Sequence, residues 1–284
     1  MKQKISFQGE LGAYSHEVTV KHFGSEIDLL PCESFSKLLD SVTHGKATCA
    51  ILPIENSIAG SVFSAYDELL RTNLYISQEI IYRIRHYLLI PPKSDLEDIR
   101  EVYSHPQALS QCFDSCLNFK LLQKPFYDTA GAARYISTHE FKDKAAIASY
   151  SAAKIYNLKV VGDSFEDAHY NETRFLIISG RKFDKSRDEL LNYDYKTTII
   201  FKTSHIPNSL ARVLNILARH NINLTKIESR PSRKAAWEYV FFVDFYGHKY
   251  DPNISFALDE LRKLVIYLRV VGSYRSYKLD DKNN

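Results

Sequence analysis

The sequence predicts an α/β protein of two domains, and three observations predict it. The chain has 284 residues, about twice an ordinary domain of roughly 100–200 residues. Helix-period and strand-period patterns alternate as far as residue 180, and such alternation favours a largely parallel sheet covered by helices. Beyond a charge-rich stretch at 181–194, read as a linker, the pattern restarts as β-α-β-β-α-β, the ferredoxin-like order. The expected domains are 1–182 and 195–278.

The elements follow in order. Residues 4–8 form a short strand, then a glycine-containing loop leads into a helix over 15–23 that Gly24 stops. Ser34 opens a second helix with Phe35, Leu38, Leu39 and Val42 on one face, closed by Gly45. Residues 47–52 are a compact apolar strand ending at Pro53. Over 82–90, Tyr82, Ile84, His86, Leu88 and Ile90 alternate with Arg83, Arg85, Tyr87 and Leu89, a period-two strand ended by Pro91 and Pro92. Another strand covers 99–104, and Pro106 stands at the first position of the next helix. In the second domain the strands are 196–202, 223–228, 239–246 and 267–271, and the helices 209–220 and 256–265. Leu210, Val213, Leu214, Leu217 and Ala218 recur at helical spacing as its buried stripe, and the polar residues 278–284 are expected to fray.

Composition narrows the function. With 37 Lys+Arg against 34 Asp+Glu, the net charge of +3 is too balanced for a dedicated nucleic-acid binder. Nineteen Tyr, 16 Phe and 45% apolar residues supply packed cores and exclude a disordered chain. No uncharged apolar run approaches the ~20 residues that span a bilayer, and the polar start offers no secretory h-region. The four cysteines Cys32, Cys49, Cys112 and Cys116 have no CxxC spacing. Cys112 and Cys116 fall one helical turn apart as small core residues, no metal site is expected, and the expected compartment is the reducing cytoplasm.

Four polar segments interrupt the apolar elements at their ends. Residues 8–15, QGELGAYS, form a strand-to-helix loop whose helix N-terminus offers N–H groups to an anion; taken alone it reads more readily as an ordinary turn. Residues 53–62, PIENSIAGSV, follow an apolar strand, where open α/β sheets place their ligands, although Glu55 and Asn56 also suit a solvated turn. In residues 103–112, YSHPQALSQC, Gln107 and Gln111 share one helix face, and His105 beside a proline is more often a cap than a catalyst. Residues 171–175, NETRF, offer a hydroxyl at Thr173 and a planar carboxylate-binding fork at Arg174, which is as readily a salt-bridge residue. The GxSxG, Walker and HExxH patterns are absent.

The strings QGELGAYSHE, LPIENSIAGSV, YSHPQALSQC, DTAGAARYIS from Asp128, NETRFLII and INLTKIESRPSR occur in this order. Together, over residues 4–277, they resemble the prephenate dehydratase family. The resemblance implies a catalytic domain of two α/β lobes, like a type II periplasmic-binding protein, and a C-terminal ACT regulatory domain. It implies conversion of prephenate to phenylpyruvate with loss of carbon dioxide and water, without cofactor or metal. Because the pattern starts at the N-terminus, a monofunctional enzyme without chorismate mutase is expected.

Residue by residue, the resemblance makes Thr173 the donor to the departing ring hydroxyl and Arg174 a carboxylate-holding partner. Gly12, Ser15, Asn56, Ser57, Ser104, Gln111, Thr129, Ala130 and Phe175 become substrate-binding positions. Glu55 is expected to be structural, since a carboxylate facing a dianion is repulsive. The resemblance further implies L-phenylalanine as effector, bound by Asn208, Ser209, Leu210, Asn223, Leu224, Glu228, Ser229, Arg230 and Pro231. The family's usual Gly-Ala-Leu is replaced here by Asn208-Ser209-Leu210, with Asn208 able to cap its helix. A homodimer or homotetramer is expected, with no nucleic-acid or membrane partner. Three rivals stand beside this reading: arogenate dehydratase, a catalytically silent sensor, and an iron aromatic-amino-acid hydroxylase. The last needs a two-His-one-carboxylate grouping, which these histidines do not form.

Overall fold

The computed structural model describes residues 2–139, 141–181, 195–232 and 237–279. The stretch read as a linker, from residue 182 on, and residues 280–284 lie outside the described residues. The chain gathers into two compact units, one from the described parts of Met1–Val62, Ile81–Phe175 and Lys278–Asn284, the other from Phe63–Ile80 and Leu176–Tyr277. No helix among the described residues is long and apolar enough to cross a membrane.

In chain order the elements are β1 (Gln3–Gln8), α1 (Tyr14–Phe23), β2 (Ile27–Cys32), α2 (Phe35–Thr43), β3 (Cys49–Asn56) and the two-residue β4 (Gly60–Ser61). Then come α3 (Phe63–Arg71), β5 (Tyr75–Arg83), β6 (Tyr87–Ile90), β7 (Glu101–Ser104), α4 (Pro106–Gln111), α5 (Phe113–Asn118) and β8 (Leu122–Pro125). The first unit is completed by α6 (Thr129–Thr138), β9 (Lys144–Ala148), α7 (Tyr150–Ile155), β10 (Lys159–Val161) and the start of β11 (Glu172–Ser179).

That unit has two lobes built to one plan. In the first, the strand order is β2-β1-β3-β11-β5; in the second it is β8-β7-β9-β6-β10. Each sheet thus receives one strand that arrives from the other lobe, β11 in the first and β6 in the second. This reciprocal exchange is the two-lobed, type II periplasmic-binding-protein-like arrangement the resemblance implies. In both lobes the second strand of that order pairs in parallel with both neighbours, β1 with β2 and β3, β7 with β8 and β9. Sheets covered on both faces read as continuous apolar runs. In β9, Ala146 and Ala148 join one core cluster while Ala145 and Ile147 join the other.

Local chemistry fixes the ends. Ser34 accepts from the Lys37 N–H as the cap of α2, and Asp128 accepts from the Gly131 N–H as the cap of α6. His105 caps α4 through its ring, accepting from the Gln107 N–H. Cys112 interrupts the expected single helix, and the Asp167 carboxylate accepts from the Asp114 and Ser115 N–H groups at the start of α5. All four cysteines are free and buried, Cys112 and Cys116 in the second-lobe core.

Several boundaries differ from expectation. The β2 strand has no counterpart in the sequence reading, because Ile-Asp-Leu-Leu-Pro-Cys does not alternate and is only partly buried. The β3 strand does not end at Pro53 but continues to Asn56. Its register with β1 ends at Ile51 and that with β4 begins at Glu55, so the missing proline N–H falls between the two ladders. Residues 82–90 are not one strand. The Ile84 N–H is taken by the Asn171 carbonyl at 2.8 Å and the His86 N–H by the Glu166 carboxylate at 2.9 Å. These bonds divert the chain out of β5 and into β6, from one lobe to the other.

The second unit contains α3, most of β5, the end of β11, and β12 (Tyr195–Lys202), α8 (Ser209–Arg219), β13 (Leu224–Pro231), β14 (Tyr239–Tyr246), α9 (Pro252–Leu264) and β15 (Tyr267–Leu279). The antiparallel order β13-β14-β12-β15 is the expected ferredoxin-like sheet. Helix α9 starts at Pro252, earlier than expected, and β15 runs on to Leu279. In α8 the buried residues are Val213, Ile216 and Leu217, while Ala218 is exposed; the inner face is rotated toward the larger side chain, which buries more apolar surface. Asn208 precedes α8 in the left-handed region at φ 69° and makes no side-chain cap, so its expected capping is not found. Within this unit Glu79 is fully buried, held by Lys196 at 2.6 Å and Ser276 at 2.7 Å.

Candidate active site

The carboxyl end of β3 and the start of β11 place a cluster of amides between the two lobes of the first unit. Asn56 is its centre. Its Oδ1 accepts from the backbone N–H groups of Ile58 at 3.1 Å and Ala59 at 2.9 Å. A backbone N–H can only donate, so these two bonds fix which way the amide faces. Its Nδ2 therefore donates to Asn171 Oδ1 at 2.6 Å and to Thr173 Oγ1 at 2.9 Å. Asn171 is set in turn and donates to Gln111 Oε1 at 3.0 Å, while Gln111 Nε2 lies 3.5 Å from Asn56 Oδ1. Gln111 Oε1 is also 2.8 Å from His86 Nε2, and an oxygen that only accepts places the proton on that nitrogen.

Beyond the ring, His86 Nδ1 lies 2.7 Å from the Tyr14 hydroxyl, which is also 2.8 Å from the Arg85 carbonyl. Burial holds the His86 imidazole below its usual range, outweighing the Gln111 hydrogen bond and the Glu166 carboxylate, which act the other way. Burial likewise pushes the Tyr14 hydroxyl well above its ordinary value, and it stays protonated. From His86 Nε2 onward the cluster is a directed hydrogen-bond chain that ends on a threonine oxygen in the role of acceptor, while the one Tyr14 proton is shared between the Arg85 carbonyl and His86 Nδ1.

The sequence-predicted residues divide. Asn56, Gln111 and Thr173 are brought together. Arg174 lies on the opposite face of β11, since successive strand residues alternate, and its guanidinium meets Glu55 at 2.6 Å. Ser57 ties the two segments by accepting from the Glu172 N–H and donating to the Tyr170 carbonyl, each at 2.9 Å. Ser104 is fully buried and donates to the Ile147 carbonyl. Ser15 is buried on α1, Thr129 is half-buried at the start of α6, and Ala130 and Phe175 lie in the core.

Gly12 holds the β1–α1 loop against α7. Its carbonyl accepts from Ser149 at 2.6 Å, its φ is +91°, and a Cβ there would stand 2.8 Å from the Ala152 Cα. Gly12→Ala should therefore destabilise the chain by about 2 kcal/mol or more, read as a lower midpoint in denaturant. A cavity of about 850 Å³ opens beside this loop, lined by Gly9, Glu10, Cys32, Tyr127, Asp128 and Arg134. Burial raises the Asp128 carboxyl above its usual range. The amide cluster lies outside this lining.

His86, Asn171 and Tyr14 were missed as site residues. For His86 the signal was visible: a polar side chain stands on the apolar phase of the 82–90 alternation. On the regulatory side, Arg230 makes a two-pronged pair with Asp67 of α3, both bonds 3.0 Å, and lies over the Phe63 ring. Asn223 precedes β13, Leu224 begins it, and Glu228, Ser229 and Pro231 continue it beside Arg230.

A two-lobed α/β unit with a directed polar cluster, followed by an antiparallel βαββαβ module, places the chain among two-lobed α/β proteins with an appended ferredoxin-like module. The prephenate dehydratase family model matches residues 5–183, and the ACT domain model matches residues 198–254. The chain is 39% identical over 280 residues to arogenate dehydratase/prephenate dehydratase 2 of Arabidopsis thaliana, covering 95% of this chain and 72% of that protein. Among solved structures, GqqA, described as a novel type of quorum quenching acylase, is 32% identical, with a TM-score of 0.88 over 96% of this chain and 98% of its own. The prephenate dehydratase from Arthrobacter aurescens in complex with L-Phe is 27% identical, with a TM-score of 0.86 over 96% and 90% of the two chains. The chain belongs to the prephenate dehydratase family and carries an ACT domain.

Proposed function

We propose that this chain converts prephenate to phenylpyruvate, carbon dioxide and water, in a catalytic domain of residues 1–182 joined to a regulatory domain of 195–278. The ring carboxylate leaves as carbon dioxide and its bonding electrons enter the ring. The ring C–O bond breaks with its electron pair going to the oxygen, which takes one proton from solvent water to leave as water, and a hydrogen-bond donor on that oxygen stabilises the charge that develops. One observation carries the assignment of that donor. Asn56 presents an N–H to Thr173 Oγ1, so the Thr173 proton is directed to an acceptor outside the cluster. Hydrogen-bond donors aimed at developing charge are a major source of rate enhancement. The same geometry disfavours Thr173 as an acylase-type nucleophile, which needs an acceptor for its proton. Gln111 orients the substrate beside it. Arg174, paired with Glu55, is assigned to joining β3 and β11 behind the cluster.

The test is phenylpyruvate formation from prephenate by the purified chain without added cofactor, with arogenate in a parallel assay. Rapid turnover of prephenate is the expected result, and the ratio of the two rates fixes substrate preference. A chain inert toward both would favour the silent sensor.

The regulatory reading takes L-phenylalanine as effector at Asn208, Ser209, Leu210, Asn223, Leu224 and residues 228–231, in a homodimer or homotetramer in the cytoplasm. The L-Phe complex of the Arthrobacter protein supports the effector, and the four free, buried cysteines accord with a reducing compartment. Because Arg230 is bonded to Asp67, Arg230→Ala should raise the half-inhibiting phenylalanine concentration about fivefold or more. Unaltered sensitivity in the steady-state assay would remove Arg230 from the effector site.

A further inference from the structure

We propose that His86 is a positioning residue for the dehydration, acting through Gln111; the proposal rests on the reading of the amide cluster given above. His86 is 2% exposed and stands where the chain passes between lobes. Its backbone is held on both sides, the N–H by Glu166 at 2.9 Å and the carbonyl by the Phe165 N–H at 2.7 Å. An apolar side chain would satisfy burial at this position of the alternation. Burying an imidazole costs free energy unless both nitrogens find partners, and here both do. What the ring adds is an N–H aimed at Gln111 Oε1.

That N–H decides what Gln111 shows to a ligand. Gln111 Oε1 accepts from two donors, His86 Nε2 and Asn171 Nδ2. Turning the amide over would set its own N–H groups against both, so the pair of donors holds it in one orientation. In that orientation one Gln111 N–H faces Asn56 Oδ1, and the second meets no acceptor among the described residues. The substrate class of this family carries two carboxylates and a hydroxyl, all acceptors. A locked Gln111 offers such a molecule a donor beside Thr173, whereas a turned Gln111 offers a repelling carbonyl. With His86 removed, only Asn171 holds the orientation.

Two substitutions separate the ring nitrogens. The amide of His86→Gln reaches toward the place of Nε2 and keeps an N–H for Gln111. His86→Asn reaches only toward the place of Nδ1, keeping a partner for Tyr14 and withdrawing the donor from Gln111. Prephenate kinetics are measured for both, alone and with Gln111→Ala, beside Thr173→Ala and with thermal midpoints for all. The expected result is a loss in kcat/KM of about 10–100-fold for His86→Asn, most of it absent in His86→Gln. In the Gln111→Ala background, His86→Asn should add less than about twofold. A merely structural histidine would multiply its loss onto that of Gln111→Ala, and equal losses for the Asn and Gln variants would equally overturn the proposal. Wild-type rates in Thr173→Ala would sink the reading of Thr173 and leave these comparisons intact. A wild-type chain without turnover would overturn both.

Discussion

Thr173→Ala is expected to lower kcat for phenylpyruvate formation by about 10²–10³-fold, the usual loss when one donor to a developing negative charge is removed. The fold should survive, because the side chain is small and its neighbour Asn56 keeps its other partners, among them the Ile58 and Ala59 N–H groups, Asn171 and the Glu172 carbonyl. Thr173→Ser keeps the hydroxyl but frees its χ1, since the branched methyl that restricts the rotamer is lost. It should therefore fall between the two. Steady-state rates together with thermal midpoints distinguish chemistry from unfolding. An alanine variant with undiminished rate would take Thr173 out of the reaction.

The second large effect is on stability. Lys196→Met should destabilise the second unit by about 3 kcal/mol or more, because it withdraws the cation 2.6 Å from a fully buried carboxylate. Glu79→Gln combined with Lys196→Met should recover part of that loss, since the remaining amide is neutral and can still accept from Ser276. Denaturant midpoints of the single and double variants make the comparison. Equal midpoints for wild type and Lys196→Met would show that the pair contributes nothing net.

Much of the fold was legible because its elements obey one period at a time. The βαββαβ tail, the caps at Ser34 and His105, and the apolar core of β3 were all readable from spacing. What escaped were the places where two sheets share one stretch of sequence. Residues 82–90 alternate for most of their length, and apart from the polar His86 the sequence carries no mark of the three residues that leave the ladder. The departure is caused by Asn171 and Glu166, more than 75 residues away in the chain, and spacing carries no information about such partners. For the same reason the sequence reading ends β3 at Pro53, whose missing donor falls between the β1 and β4 ladders. In the site, residue types pointed to Asn56, Gln111 and Thr173. They could not say that Arg174 and Glu55 face each other behind the strand, nor that a histidine in an apolar register supplies a donor.

The chain passes between the lobes at 84–86 and returns just before β11, and the two passages are bonded to each other where the Ile84 N–H meets the Asn171 carbonyl. Two linked threads of this kind act as the pin of a pair of tongs. His86, Asn171 and the groups they direct sit at the pin, and the β1–α1 loop, bonded to Ser149 at the start of α7, ties the lobes a second time. A hydroxyl aimed from beside such a pin is fixed by both passages at once, so a change in either strand is felt at Thr173.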